Sequence, residues 1–191
     1  FHGFCDAMVR ERGLEIGLPT NYKILSGVEP WLFFKKNLFK FPLNILRPLG
    51  NPTKCITALL EHLSRLKDEN ISPEIYLEHG KKVKDEKIIE IARCYKTYQE
   101  LLIKEALLDF GDLQRYALQL FEKRPKILEE YQNRFQYLLV DEFQDTNYAQ
   151  NKILQYLAQK HQNITVVGDD DQSIYKWRVA SLTNILHFEN S

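Results

Sequence analysis

Apolar positions recur at helical spacing over most of the first 134 residues, and then give way to short continuous runs. Residues 1–12 predict a short helix. Residues 13–23 contain Gly13, Gly17, Pro19 and Asn21 and predict a loop. Glu29 to Lys40 is expected to be helical, with Pro30 tolerated in the first turn. Residues 41–52 hold Pro42, Pro48 and Gly50 and are expected to be irregular. Asn51-Pro52 has the form of an N-cap followed by proline, opening a helix to about Asp68. Ser72-Pro73 repeats that start signal, and Gly80 is the expected stop. The longest helical pattern runs from Asp85 to about Leu108. Ile88, Ala92, Tyr95, Gln99 and Leu102 share one face, which Ile91 and Tyr98 widen. Further helices are predicted over 111–122 and 125–134.

The mode then changes. A strand over 136–141, a helix over 147–160 and a strand over 163–168 make a βαβ unit, whose two strands should lie parallel in one sheet. Their Val/Leu/Ile runs suit strands buried on both faces. The expected fold class is α/β, with a helical block over 14–104 and an α/β part made of 1–13 and 105–191.

Composition changes little. The apolar fraction of 44% and charged fraction of 27% are those of an ordinary globular protein. The net charge of zero gives nucleic-acid binding no support from bulk charge, although a local groove can still track a strand. Cys5, Cys55 and Cys94 are far apart and show neither metal-ligand nor disulfide spacing, which points to a reducing, cytoplasmic setting. The apolar stretches are far shorter than the roughly 20 residues a membrane span needs, so no membrane role is expected.

The chemistry concentrates where the two strand patterns end. Tyr137-Leu-Leu-Val-Asp-Glu-Phe-Gln-Asp-Thr146 ends its strand on Asp141 and Glu142. Ile164-Thr-Val-Val-Gly-Asp-Asp-Asp-Gln-Ser-Ile-Tyr-Lys-Trp-Arg178 ends its strand on Asp169 and its neighbours, with Gln172 close behind. Ligands of open α/β sheets bind beyond the carboxyl ends of strands. One carboxylate to hold a metal and a second to orient water is the combination that nucleoside triphosphate hydrolysis needs. The aromatic and basic cluster Tyr175, Lys176, Trp177 and Arg178 adds surfaces on which bases can stack. Trp31, Phe33, Phe34, Phe39 and Phe41, interleaved with Lys35, Lys36 and Lys40, have the pattern of a buried aromatic row with a wet basic side. A duplex-contacting face is the alternative.

These segments carry a resemblance. Asp141-Glu-Phe-Gln-Asp-Thr146 resembles motif II of the UvrD/Rep family of superfamily 1 DNA helicases, and Val167-Gly-Asp-Asp-Asp-Gln-Ser-Ile-Tyr-Lys-Trp-Arg178 resembles motif III. Phe1-His2-Gly3-Phe4-Cys5 is similar to motif Ib, and Leu108-Asp-Phe-Gly-Asp-Leu113 to a short segment ahead of motif II. Val179 stands where the family usually has Gly.

The resemblance implies part of a RecA-like P-loop NTPase domain interrupted by a helical insertion. It implies ATP and Mg²⁺ as cofactors, with Asp141 as the magnesium ligand and Glu142 as the catalytic base. Gln172 would contact the γ-phosphate, and Gln144 would have a lesser role at the nucleotide. Trp177 and Tyr175 would stack on single-stranded DNA beside Arg178, with His2 and Phe1 at the DNA backbone. The partners implied are single-stranded DNA, single/double-strand junctions, and the remainder of the same polypeptide. Gly80-Lys81 is the one Gly-Lys pair, and Ile75 stands where a P-loop would have its first glycine. The chain is therefore expected to be an internal piece of a helicase, inactive alone. A non-catalytic DNA-binding module derived from the same fold is the alternative.

Overall fold

The computed structural model describes residues 1–46, 51 and 53–169. In chain order the elements are α1 (His2–Arg12), β1 (Lys23–Ile24), α2 (Glu29–Lys36), α3 (Ile56–Asp68), α4 (Pro73–Val83), α5 (Glu86–Lys104), β2 (Leu107–Leu108), α6 (Phe110–Lys123), α7 (Pro125–Arg134), β3 (Leu138–Val140), α8 (Tyr148–Ala158) and β4 (Ile164–Val166). Short 3₁₀ turns cover Gly13–Ile16, Leu38–Lys40 and Phe143–Asp145. The chain forms two compact units. One is built from Phe1–Thr20, Asp68–Asn70 and the chain from Leu113 onward, the other from Asn21–Lys67 and Ile71–Asp112.

The second unit is mainly helical. Leu59, Leu63 and Leu66 of α3 pack with Tyr95, Tyr98 and Leu102 of α5 and with Phe33 and Phe34 of α2. Phe34 stacks flat on Phe41 with ring centroids 3.8 Å apart. Each such side chain contributes about 1.5–3 kcal/mol by leaving water. Lys35, Lys36 and Lys40 stay exposed while Phe33, Phe34 and Phe41 are core; Trp31 is half-buried, and Phe39, expected in the same row, is 83% exposed on the 3₁₀ turn that follows α2. The segment over 41–46 has no regular structure, yet its backbone is anchored. The buried Glu90 carboxylate of α5 accepts from the Ile45 and Leu46 amides, both at 2.9 Å. β1 and β2 pair in parallel, Lys23 opposite Leu107 and Ile24 opposite Leu108.

Helix starts follow their caps. Ser72 Oγ accepts from the Ile75 amide at 3.2 Å, and Asp85 accepts from the Lys87 and Ile88 amides at 2.8 and 3.2 Å. Asn51 Oδ1 accepts from the Thr53 amide at 3.2 Å and holds a turn, with regular helix beginning at Ile56. α2 stops at Lys36, short of the expected Lys40, and the ends of α4 and α5 also differ from expectation. α4 runs through Gly80 to Val83, and Lys84 takes the left-handed conformation that stops it. Gly80 is there because α5 passes close: a Cβ at Gly80 would lie 2.9 Å from Ile88 Cγ2 and 3.1 Å from the Ile89 amide nitrogen. α5 ends at Lys104 rather than Leu108, because Ala106 turns left-handed (φ 51°) and hands the chain to β2.

The first unit holds α1, most of α6, α7, α8 and the pair β3–β4. Cys5, Met8 and Val9 of α1, Leu118 and Phe121 of α6, Tyr131 of α7, and Ile153 and Leu157 of α8 are buried. Burial pushes the Cys5 thiol up to about 12, so it is an inert apolar filler. β3 and β4 are parallel, with Leu138 opposite Ile164 and Val140 opposite Val166. Their cluster with Phe143 and Leu154 occupies one face of the sheet. Leu139 is 77% exposed and Val167 53% exposed. Among the described residues the strands are therefore buried on one face only, with alternate side chains on the other face exposed. Among the described residues no helix is long and apolar enough to cross a membrane.

Candidate functional site

β3 delivers Asp141 at its carboxyl end, and the chain then reverses within one residue. Glu142 has φ 52° and ψ 44°, the left-handed region that costs an L-residue about 1–2 kcal/mol. The surroundings hold it there. Asp141 Oδ1 accepts from the Glu142 amide at 3.0 Å. The Phe143 amide donates to Val167 O at 3.0 Å, and the Val167 amide to Val140 O at 2.8 Å, so the turn is sewn to the end of β4. Thr146 Oγ1 donates to Phe143 O at 2.7 Å and closes the 3₁₀ turn. Phe143 itself is buried as the apolar peg of the turn. Both carboxylates remain exposed.

Gln144 is only 2% exposed. Its Nε2 donates to Glu142 Oε2 at 2.6 Å, while its Oε1 accepts from the Asp169 amide at 3.1 Å. Gly168 makes room for this amide, since a Cβ there would sit 2.7 Å from Gln144 Oε1. Asp141, Glu142, Gln144 and Asp169 thus meet at one strand end. Gln172, Tyr175, Trp177 and Arg178 lie outside the described residues.

Among the described residues no three His, Cys, Asp or Glu side chains converge as a metal cage. An exposed carboxylate at a strand end instead fits Mg²⁺ held by one or two protein ligands, with waters and phosphates completing the shell.

Phe1 and Asp141 line the same cavity of about 350 Å³, together with Phe4, Phe135 and Leu157. His2 is exposed, and its Nε2 lies 3.0 Å from Gln114 Nε2. Gln114 and Asn147 are contributions that the sequence reading missed. Asn147 caps α8 by accepting from the Gln150 amide at 2.9 Å. Its Nδ2 donates to Asp68 Oδ1 at 2.8 Å and to Gln114 Oε1 at 3.1 Å. The cap was readable as an Asn before an apolar-periodic helix; the polar chain from His2 to the segment after Thr146 was not.

The second unit carries its own charged cluster. Lys67 is buried, with Nζ 2.5 Å from Asp109 Oδ2 and 2.8 Å from Asp112 Oδ1. The rings of Tyr98 and Tyr95 lie 5.2 and 5.9 Å from the ammonium. The two acids bind each other's backbone: the Asp109 amide donates to Asp112 at 3.1 Å and the Asp112 amide to Asp109 at 3.0 Å. Burial opposes the Lys67 charge, but the two carboxylates outweigh it and hold the ammonium above its ordinary range. Burial, with the charge of Asp109 added, pushes Asp112 up to about 6. The Asp-Phe-Gly-Asp segment is thereby a folding anchor for α3, β2 and α6.

A family profile described as the UvrD/REP helicase N-terminal domain matches residues 1–191. The chain is 40% identical over 192 residues to an ATP-dependent DNA helicase PcrA of Staphylococcus epidermidis, covering 99% of this chain and 25% of that protein. It is 38% identical over 189 residues to the ATP-dependent DNA helicase PcrA of Bacillus subtilis, covering 99% of this chain and 24% of that protein. A PcrA of Staphylococcus aureus is 39% identical over 192 residues, again with 25% of its length covered. The chain spans about a quarter of the length of the curated relatives it matches.

Proposed function

The chain belongs to the UvrD/REP helicase N-terminal domain family, and from that premise we propose that it is the part of an ATP-dependent DNA helicase that carries the metal- and water-handling carboxylates. The observation that carries this reading is the strand end itself. Asp141 and Glu142 stand exposed and adjacent, and Glu142 is held in a left-handed turn by bonds to β4 and to Gln144. Strained backbone that the surroundings over-determine is a feature of functional sites. On this reading the first unit belongs to a RecA-like motor domain and the second is a helical insertion within it.

Asp141 would hold Mg²⁺, which when bound neutralises phosphate charge on ATP. Glu142 would orient the attacking water and take its proton. Gln172 would meet the γ-phosphate. Trp177, Tyr175 and Arg178 would engage single-stranded DNA, with Phe1 and His2 at its backbone, and single/double-strand junctions would be further partners. The protein would act in the cytoplasm.

The test is Glu142→Gln in the full-length protein. The substitution keeps size and the Asp141 position and removes the base. ATP turnover should fall by at least about a hundredfold while binding of a non-hydrolysable ATP analogue holds. Wild-type turnover in the variant would remove Glu142 from the mechanism and favour the non-catalytic DNA-binding module.

A further inference from the structure

We propose that Gln144 is the positioning residue for Glu142, and that it sets the reach of that carboxylate from the Gly168–Asp169 turn at the end of β4. The proposal rests on the reading of Glu142 as the water base and assigns the part that aims it. An exposed glutamate has three rotatable side-chain bonds and by itself samples many directions. Here one carboxylate oxygen is fixed by a donor 2.6 Å away, leaving the other free for water. The donor belongs to a side chain that is itself locked. Gln144 is buried, and its remaining amide oxygen is taken by the Asp169 backbone at 3.1 Å.

The chemistry demands an amide. One end must donate to a carboxylate and the other must accept from a backbone N–H, in opposite directions from one planar group. Glutamate would keep the acceptor, lose the donor and repel Glu142. Leucine would fill the space and lose both bonds. A second observation points the same way. Position 168 has no side chain, and a Cβ there would lie 2.7 Å from Gln144 Oε1, inside contact distance. The glycine and the amide fit as a pair. Any shift of the 168–169 turn is then transmitted to the carboxylate through a single buried side chain.

The experiment uses steady-state ATP hydrolysis by the full-length protein with saturating single-stranded DNA. Gln144→Ala should lower kcat by at least about tenfold and leave the KM for ATP within about threefold, because the buried amide is committed to Glu142 and the Asp169 backbone. Gly168→Ala in the parent should reproduce that loss, since its Cβ displaces the amide. In the Gln144→Ala background the same Cβ keeps only ordinary contacts, with the Gln144 and Phe143 backbone nitrogens at 3.4 and 3.5 Å, and should cost less than about twofold more; such non-additivity is the mark of a direct contact. Should Gln144→Ala fail to fold, Gln144→Leu keeps the space filled and removes both bonds, with the same split of kcat from KM expected.

Equal losses from Gly168→Ala in both backgrounds would overturn the proposal, as would an unchanged kcat in a folded Gln144→Ala protein. Glu142→Gln, run alongside, separates the two levels. If it abolishes turnover while Gln144→Ala does not change kcat, the aiming role fails and the base stands. If Glu142→Gln turns over normally, the base reading itself has failed.

Discussion

Lys67 shows how much can depend on one charge. Replacing it with methionine keeps the volume and removes the counter-charge of two acids, one of them fully buried. Breaking a buried pair from one side costs about 3–5 kcal/mol. Lys67→Met should lower the unfolding free energy of the full-length protein by that amount near neutral pH, measured by urea denaturation. A loss under about 1 kcal/mol would mean the cluster is not holding the fold. Asp112 adds a pH signature. Its carboxyl is raised from 3.8 to about 6 in the folded protein, so the folded state binds its proton more tightly than the unfolded state. The stability this gives is fully present below 3.8 and is lost as pH rises to about 6. Asp112→Asn cannot titrate, so urea curves on either side of that window should show this loss in the parent and not in the variant. At this scale the sequence disclosed what is contiguous and little else. Asp141 and Glu142 are readable because a strand pattern runs straight into them. Lys67 is 42 residues from Asp109, and nothing local separates it from the exposed lysines. The same holds for Gln144, whose fixed orientation depends on an amide 25 residues away.

Among elements, boundaries set by a local signal are readable, as at Asp68 and Arg134, whereas α3 starts at Ile56 and not at Asn51-Pro52. Ser72-Pro73 and Asp85 announce α4 and α5 because a cap is a local contact between a side chain and an amide two or three residues on. Glycine ends helices, which makes Gly80 a candidate stop; it is instead a point where α5 leaves no room for a side chain on α4. β1 and β2 are two residues each and paired across the whole helical block, too short to show any alternation. Gly80 decides between propensity and packing. Alanine in a helix interior gains up to about 1 kcal/mol over glycine, but here its Cβ would press on Ile88 and on the backbone of Ile89. Overpacking costs about 1–3 kcal/mol. Gly80→Ala should therefore be a net destabiliser by about 1 kcal/mol in thermal or urea unfolding. A stabilised variant would show that the α4–α5 contact yields easily.

At the scale of the whole molecule, the acids have no phosphate cradle of their own: the 191-residue sequence contains no Gly-x-x-x-x-Gly-Lys-[Ser/Thr]. Carboxylates alone repel a triphosphate. The isolated chain should release no phosphate from ATP above the no-enzyme rate, with or without single-stranded DNA. Turnover that disappears with Glu142→Gln would contradict this. Its affinity for DNA should be weak and fall steeply with salt, since a chain of zero net charge can neutralise few phosphates.

The division of the chain between its two units also has a consequence in time. The opening twenty residues belong to a unit whose remaining parts are a three-residue visit at Asp68–Asn70 and everything from Leu113 onward. On a ribosome that adds roughly 5–20 residues per second, α1 leaves the exit tunnel and waits about 5–20 s for the helix it will pack against. During that wait nearly all of Asn21–Asp112 is made, and that stretch can close on itself as soon as Leu107 and Leu108 reach Lys23 and Ile24. The part of the protein inserted last in the fold's logic is thus the first able to complete its own core. Within this chain, the buried face of α1, with Cys5, Met8 and Val9, meets its partners only when the stretch from Leu113 onward arrives.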